Sequence, residues 1–455
     1  MTPVEYLKKT EKERLDDLFQ FLSFASVSAK SEHAKDIAAC ATWLTEHLRK
    51  IGFRSEICPT AGHPLVYGEY VAGEDLPTVL YYGHYDVQPP EPLDLWKSPP
   101  FKPEIRSGYL YARGAADNKG QLFTHVKGLE AILRTTGHLP VNVKLLFEGE
   151  EEVHSENLPP YIRKNRKKLR ADIAVVSDTA MFGPNLPAVT FGLRGIAAVE
   201  LYVYGPGRDV HSGSFGGAIA NPANILCQMV GKLHDKNGRV AIPGFYKGVK
   251  PLSKWERSQF KKLPFDKQRY LKNQGITAVH GEKGYSTFER SWSRPTCDVN
   301  GITSGYQGEG AKTIIPSYAS CKITMRLVPG QDPKDICAKT ARYLQKIAPR
   351  SVRVKVDQFG GAKAAVVPHE GPWLDAAGRA IKAGFGKQPL FMKEGGSIPI
   401  VGDFKEILGL DTLLIGFCQN NDNVHSPNER FRLRDFERGC KTAAALPFEL
   451  AKVEV

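Results

Sequence analysis

The residues best suited to chemistry fall in five short segments: Tyr82-Gly83-His84-Tyr85-Asp86-Val87, Arg113-Gly114-Ala115-Ala116-Asp117-Asn118-Lys119-Gly120, Phe147-Glu148-Gly149-Glu150-Glu151-Glu152, Val176-Ser177-Asp178 and Asn423-Val424-His425-Ser426-Pro427-Asn428-Glu429. On extended chain the side chains of His84 and Asp86 point the same way, so one can bind a metal while the other orients it; a plain structural hydrogen bond fits the same spacing. Asp117, at the start of a helical pattern, reads by itself as a helix cap. A row of carboxylates directly after the strand ending at Phe147 is costly unless something cationic compensates it. A metal does so if one carboxylate ligates while its neighbour acts as general base; a solvated acidic loop is the alternative. Asp178 and His425 also follow apolar strands, and each alone reads as structural. Together, two histidines and three acids at strand ends make an oxygen-and-imidazole set without thiolate. Such a set suits zinc, manganese or cobalt in an open catalytic site.

These groups need a scaffold that ends several strands at one place. The runs Thr78–Tyr82, Val141–Phe147 and Asp172–Val176 read as buried strands. Helical patterns lie between them near 34–51, 120–135 and 156–170, which implies crossover units and a sheet covered by helices on both faces. The pattern then changes: Gly195–Tyr204 and Tyr318–Val328 alternate in period two, as strands with one exposed face do. A helix begins at Asn221-Pro222, and the polar stretch 239–300 has no assignable period and reads as an insertion. From 362 the first pattern returns, with a helix at 372–384, a strand at Asp411–Phe417 and a last helix at 433–450. The expected architecture is an α/β domain with a mixed sheet (residues 1–191 and 362–455), interrupted by a smaller α+β domain (192–361).

The segments, in this order and spacing, resemble the co-catalytic metallopeptidase family of aminoacylases, glutamate carboxypeptidases, carnosinases and cytosolic non-specific dipeptidases. Glu394-Gly395-Gly396-Ser397-Ile398-Pro399 and Met325-Arg326-Leu327-Val328-Pro329 make the carnosinase and dipeptidase branch the most similar. The resemblance implies two divalent cations per chain, zinc with manganese or cobalt as alternatives. His84 and Asp178 hold one, Glu152 and His425 the other, and Asp117 bridges them. It further implies that Asp86 holds the His84 imidazole and that Glu151 is the general base. Thr313, Arg326, Glu394, Gly395 and Ser397 hold the substrate's ends. His211, on a smaller domain that serves as lid and dimerisation surface, reaches the site of a partner subunit in a homodimer. The implied reaction is hydrolysis of a dipeptide bearing a free C-terminal carboxylate. An N-acyl-amino-acid deacylase is the alternative, and an inactive binding homologue a third reading that the intact ligand set opposes. One departure stands out: Val153-His154-Ser155 follows the Glu pair where the family has an apolar residue, Gly and Ser, so a backbone angle that favours Gly falls to a histidine.

Composition agrees with a soluble enzyme of this kind. The chain has 455 residues, 42% apolar and 24% charged, enough for two or three domains. No apolar run is long enough to cross a membrane. The start lacks a secretory pattern, and the eight cysteines are scattered, so a reducing, cytoplasmic setting is expected. The net charge of +13 is dispersed apart from the run Arg163–Arg170, which reads as a solvated helix face. Nucleic acid is therefore not an expected partner, whereas small anionic substrates are favoured.

Overall fold

The computed structural model describes residues 1–454, which form two compact units. The first unit comprises Met1–Phe191, Val367–Met392 and Ile400–Val455. Its sheet runs in the order Arg54–Cys58, Leu65–Tyr70, Asn142–Glu148, Thr78–His84, Ile173–Val176, Thr412–Ile415 and Ala188–Leu193. The four strands from Asn142–Glu148 to Thr412–Ile415 are mutually parallel, and antiparallel strands flank them on either side. The parallel strands are mostly apolar and largely buried (Ile173–Val176 throughout), as strands covered on both faces are. The helices Ala34–Ile51, Lys119–Thr136, Pro372–Phe385 and Leu433–Leu450 complete the core. Lys119–Thr136 approaches Leu433–Leu450 so closely that a Cβ on Gly128 would lie 2.5 Å from that of Ala443. Lys119 is fully buried, and its ammonium donates to the carbonyls of Phe21 (3.1 Å) and Phe24 (2.8 Å) at the end of helix Glu11–Ser23. That anchors the helix whose first turn follows Asp117.

The second unit comprises Gly192–Val366 and Lys393–Pro399. Its antiparallel sheet has the order Asp298–Ser304, Tyr318–Leu327, Gly195–Tyr204, Arg353–Ala362. Burial alternates strictly along Gly195–Tyr204, and Ala197, Val199, Leu201 and Val203 pack with residues of helices Pro222–Val230 and Pro333–Ile347.

The structure differs from the sequence reading at three places. The first unit resumes at Val367 rather than 362, because Arg353–Ala362 continues pairing with Gly195–Tyr204 to its end. Residues 393–399, expected in the first unit, belong to the second, where Arg194 holds Gly395 and Ser397. The helix expected at 156–170 spans only Leu158–Lys164. Asn165 ends it, its side chain donating to the Tyr161 carbonyl at 2.9 Å, so most of the basic run lies in turns. The 239–300 stretch contains three short helices, Lys254–Lys262, Lys267–Gln274 and Thr287–Ser293. Among the described residues no helix is long and apolar enough to cross a membrane, and the cysteines form no disulfide.

Candidate metal centre

The parallel strands deliver the predicted ligands at their carboxyl ends, where α/β sheets place their sites. His84 closes strand Thr78–His84, Asp178 follows Ile173–Val176, and Glu151 and Glu152 begin a single turn after Asn142–Glu148. Asp117 precedes helix Lys119–Thr136, and its peptide bond to Asn118 is cis. His425 lies in the loop after Thr412–Ile415, with φ +61°.

All five come together, and Asp117 is divided between the other four. Its Oδ1 lies 3.1 Å from His84 Nε2, which is 3.7 Å from Asp178 Oδ1. Its Oδ2 lies 2.9 Å from His425 Nε2, which is 3.3 Å from Glu152 Oε2. One carboxylate thus faces two ligand pairs, one with each oxygen. Asp86 is fully buried and secures the neighbourhood: its carboxylate accepts from the backbone N–H of Glu151 (3.2 Å) and Glu152 (3.1 Å) and lies 3.3 Å from His84 Nδ1.

The electrostatics ask for positive charge between these oxygens. Burial pushes the carboxyls of Asp178, Glu152 and, much further, Glu151 upward; hydrogen bonds from His84 and His425 resist this at Asp178 and Glu152. Hydrogen bonds to Asp117 and Glu152 lift His425 to about 10. Burial pulls His84 down, but its bonds to Asp117, Asp178 and Asp86 together hold it well above the ordinary range. Glu152 Oε1 is buried without any hydrogen-bond partner. Orphaned oxygen, crowded carboxylates and imidazole nitrogens within reach are the donor set a divalent cation satisfies, and the residues fit the group. The second cluster able to hold a cation, Asp17, His47 and Glu130, already holds one: Lys127 Nζ sits 2.5 Å from Asp17 and 2.7 Å from Glu130.

Several residues that sequence reasoning quoted without a role complete the centre. Glu429 is fully buried and accepts four hydrogen bonds: from Arg113 Nη1 (2.7 Å) and the backbone N–H groups of Gly114 (3.0 Å), Ala116 (2.9 Å) and Asp117 (3.0 Å). It therefore clasps the Asp117 loop to the segment that carries His425. Asn118 donates to Asp178 Oδ1 (2.9 Å), and Gln88, one residue beyond the first segment and not singled out in the sequence, donates to Glu152 Oε2 (2.7 Å). Acceptors for backbone donors leave no mark in spacing, so nothing in the sequence singled Glu429 out.

His154 adopts φ +78° and Ser155 φ +52°, so the loop after the Glu pair has the left-handed backbone suspected from the missing glycine. The remaining predicted residues lie in the second unit. His211 is exposed, pairs with Ile314 across a two-stranded ribbon beside Thr313, and accepts the N–H of Gly213 (2.9 Å) on Nδ1. That acceptor role leaves Nε2 to carry the proton of a neutral imidazole, as a donor. Arg326 Nη1 lies 3.3 Å from Ser397 Oγ, which donates to the carbonyl of Arg194. Glu394 ends strand Leu390–Glu394 immediately before Gly395.

Comparisons with known proteins agree with this geometry. Residues 80–448 match the model of peptidase family M20/M25/M40. The Cys-Gly metallodipeptidase dug1 of Schizosaccharomyces pombe is 30% identical over an alignment 471 positions long, covering 99% of this chain and 98% of its own. Human carnosine dipeptidase 1 superposes with a TM-score of 0.86 at 27% identity, over 99% of this chain and 98% of that one. The metallo-carboxypeptidase Sso-CP2 of Sulfolobus solfataricus gives 0.86 at 34% identity, over 97% and 100%. With the family match spanning most of the chain, the protein belongs to peptidase family M20/M25/M40.

Proposed function

We propose that this chain is a metal-dependent dipeptidase whose site holds two divalent cations bridged by Asp117. The observation that carries the reading is the division of Asp117 between two ligand pairs, His84 with Asp178 and His425 with Glu152. Oxygen and imidazole donors without thiolate favour zinc, with manganese and cobalt accepted by the same set. Cations so held supply Lewis acidity that acidifies water and polarises an amide carbonyl.

The chain's own residues do the rest. Glu151, raised well above an ordinary carboxyl mainly by burial, takes the proton of the attacking water and returns it to the leaving amine. Asp86 fixes the backbone that presents Glu151 and the ring of His84. The Nε2–H of His211 donates to the tetrahedral oxyanion; exposed on the second unit, His211 serves a partner subunit in a homodimer, and Thr313, whose carbonyl accepts the N–H of Ser212, helps hold an end of the substrate. Arg326 holds the C-terminal carboxylate as a bidentate donor, supported by Ser397 and flanked by Gly395 and Glu394. Relatives named for Cys-Gly and β-Ala-His dipeptides favour a dipeptide over an N-acylated amino acid. Comparing hydrolysis of free dipeptides with that of N-acetyl amino acids, with and without chelator, tests the reading. Chelator-sensitive cleavage of the dipeptides is expected. Preference for the acetylated compounds would move the assignment to a deacylase.

A further inference from the structure

The second unit carries an electrostatic deficit away from the histidine–carboxylate cluster. A cavity of about 290 Å³ opens between the start of strand Gly195–Tyr204 and the 280–298 segment. Arg194, Arg290 and Arg294 all line it. Arg294 is neutralised: Glu282 receives its Nε and Nη2 at 2.8 and 2.9 Å, and its guanidinium stacks over Tyr285 at 4.5 Å. The other two are not. Arg290 is held by carbonyls alone, donating from Nε to Glu282 O (2.8 Å) and from Nη1 to His280 O (3.3 Å). Arg194 donates from Nε to Gly395 O (3.2 Å), while its Nη1 is buried with no partner at all. A further arginine, Arg326, stands next to Arg194 through their shared neighbour Ser397, and among the described residues its guanidinium has that hydroxyl as its one hydrogen-bond partner. Of the two acids in the lining, Glu282 is taken up by Arg294; the other, Asp298, is exposed, accepts the Thr296 hydroxyl at 2.6 Å and favours the charged forms of Arg194 and Arg326 only partly against burial. Burial, and then the charge of Arg326, pull Arg194 down to about 10, so it stays cationic at neutral pH.

A buried guanidinium donor without an acceptor costs free energy unless something supplies the acceptor. Backbone carbonyls orient Arg290 but leave its charge uncompensated, and both groups border one cavity large enough for a tetrahedral or planar oxyanion. We propose that this cavity is a binding site for a small oxyanion, a phosphate or carboxylate group, taken between Arg194 and Arg290. Two sources share that chemistry. One is a free anion; the other is an acidic side chain on the C-terminal residue of a bound dipeptide, whose second carboxylate lies a few bonds from the one assigned to Arg326. The second source rests on the dipeptidase reading; the site itself does not.

The test has two arms. In the first, the full-length chain, stripped of metal so that cations cannot bind the probe, is titrated with inorganic phosphate and with glutarate while its thermal midpoint is followed. A saturable rise beyond that of chloride at equal ionic strength is expected, because a ligand that binds only the folded state stabilises it. Arg194→Gln and Arg290→Gln should each weaken the apparent affinity about tenfold or more, while Lys9→Gln, which removes one remote charge, leaves it alone. Arg290→Lys should recover part of the loss. The second arm compares kcat/KM for Ala-Glu and Ala-Gln in the metal-loaded enzyme. A preference for Ala-Glu that shrinks in Arg290→Gln identifies the side chain as the source; equal rates on both, with phosphate affecting them alike, identify the free anion. No saturable rise with either probe, or a rise undiminished in both arginine variants, overturns the proposal. Failure to cleave either peptide refutes the dipeptidase reading instead, and the first arm still decides the site.

Discussion

Replacing Glu429 by glutamine isolates the clasp that joins the Asp117 loop to the His425 loop. The wild-type carboxylate spreads its four acceptances evenly: Oε2 takes Arg113 and Gly114, Oε1 takes Ala116 and Asp117. A glutamine of the same shape keeps one oxygen, so its amide N–H₂ must face two donors. Each buried donor left unpaired costs about 1–3 kcal/mol. Arg113, 1% exposed, also loses its only carboxylate partner, a change that costs about 3–5 kcal/mol when one side of a buried ion pair is removed. These overlap rather than add, so about 3–5 kcal/mol is the expected total. That is a large share of the ~5–15 kcal/mol that keeps a domain folded, and part of it should appear as displacement of Asp117. Two measurements separate the parts. Urea denaturation of the metal-free chain should show a lower midpoint with an unchanged slope. Competition with a chromophoric chelator should show metal affinity reduced about 10–100-fold, the usual effect of losing a group that orients a ligand. Glu437→Gln, which breaks only the surface pair with Lys441, should stay within about 0.5 kcal/mol. If Glu429→Gln matched wild type in both stability and metal affinity, the clasp would have no role.

Four other outcomes are expected. Glu151→Gln should retain metal while kcat falls about 10²–10⁴-fold, whereas Glu152→Gln should lose metal affinity; metal analysis of the two purified variants distinguishes them, and a reversed pattern shifts base and ligand by one residue. His154→Gly should be neutral or stabilising by up to about 1 kcal/mol, since φ +78° suits glycine and the gain is partly offset by glycine's freer unfolded state; a loss beyond 1 kcal/mol would show that the imidazole makes a needed contact. His47, whose pKa burial and then Lys127 push down to about 3, is neutral when folded but protonated when unfolded below about pH 6.5. Its contribution is intact above that pH and declines as pH falls towards 3, by about 2 kcal/mol at pH 5, so denaturation midpoints should fall on acidification and His47→Phe should flatten that dependence. Finally, His211→Ala and Glu151→Gln subunits, each nearly inactive, should recover about a quarter of wild-type activity after random exchange, because about half the dimers are mixed and each mixed dimer has one intact site; no recovery despite demonstrated exchange would confine His211 to its own chain.

The clustering of histidines and carboxylates was legible where these residues coincide with strand ends. His84, Asp178 and the Glu151–Glu152 pair follow apolar runs whose length and β-branched content mark buried strands, so both their element and their place on it could be read. Glu429 was not, because its partners are backbone N–H groups 312 to 315 residues away in the chain; such acceptors have no sequence period. The helix at 158–164 was read too long since Lys and Arg sustain a helical pattern, while the stop is a single side-chain contact from Asn165. The 254–293 helices were missed because seven to nine residues are too few to show an amphipathic period. Their capping boxes, Ser253 with Glu256 and Ser286 with Glu289, were the visible signal. The edge of the second unit went astray at 393–399 because those residues join it through Arg194, a contact across some two hundred residues of chain.

In the proposed function, two cations held around Asp117 drive cleavage of a dipeptide. The most direct test is titration of the metal-free chain with Zn²⁺ or Mn²⁺ while hydrolysis of an unblocked dipeptide is followed. Activity should be absent at the start and reach its plateau at about two equivalents per chain, the occupancy that a carboxylate bridging two open sites requires. Undiminished hydrolysis in the stripped protein, or a plateau reached at one equivalent, would contradict it.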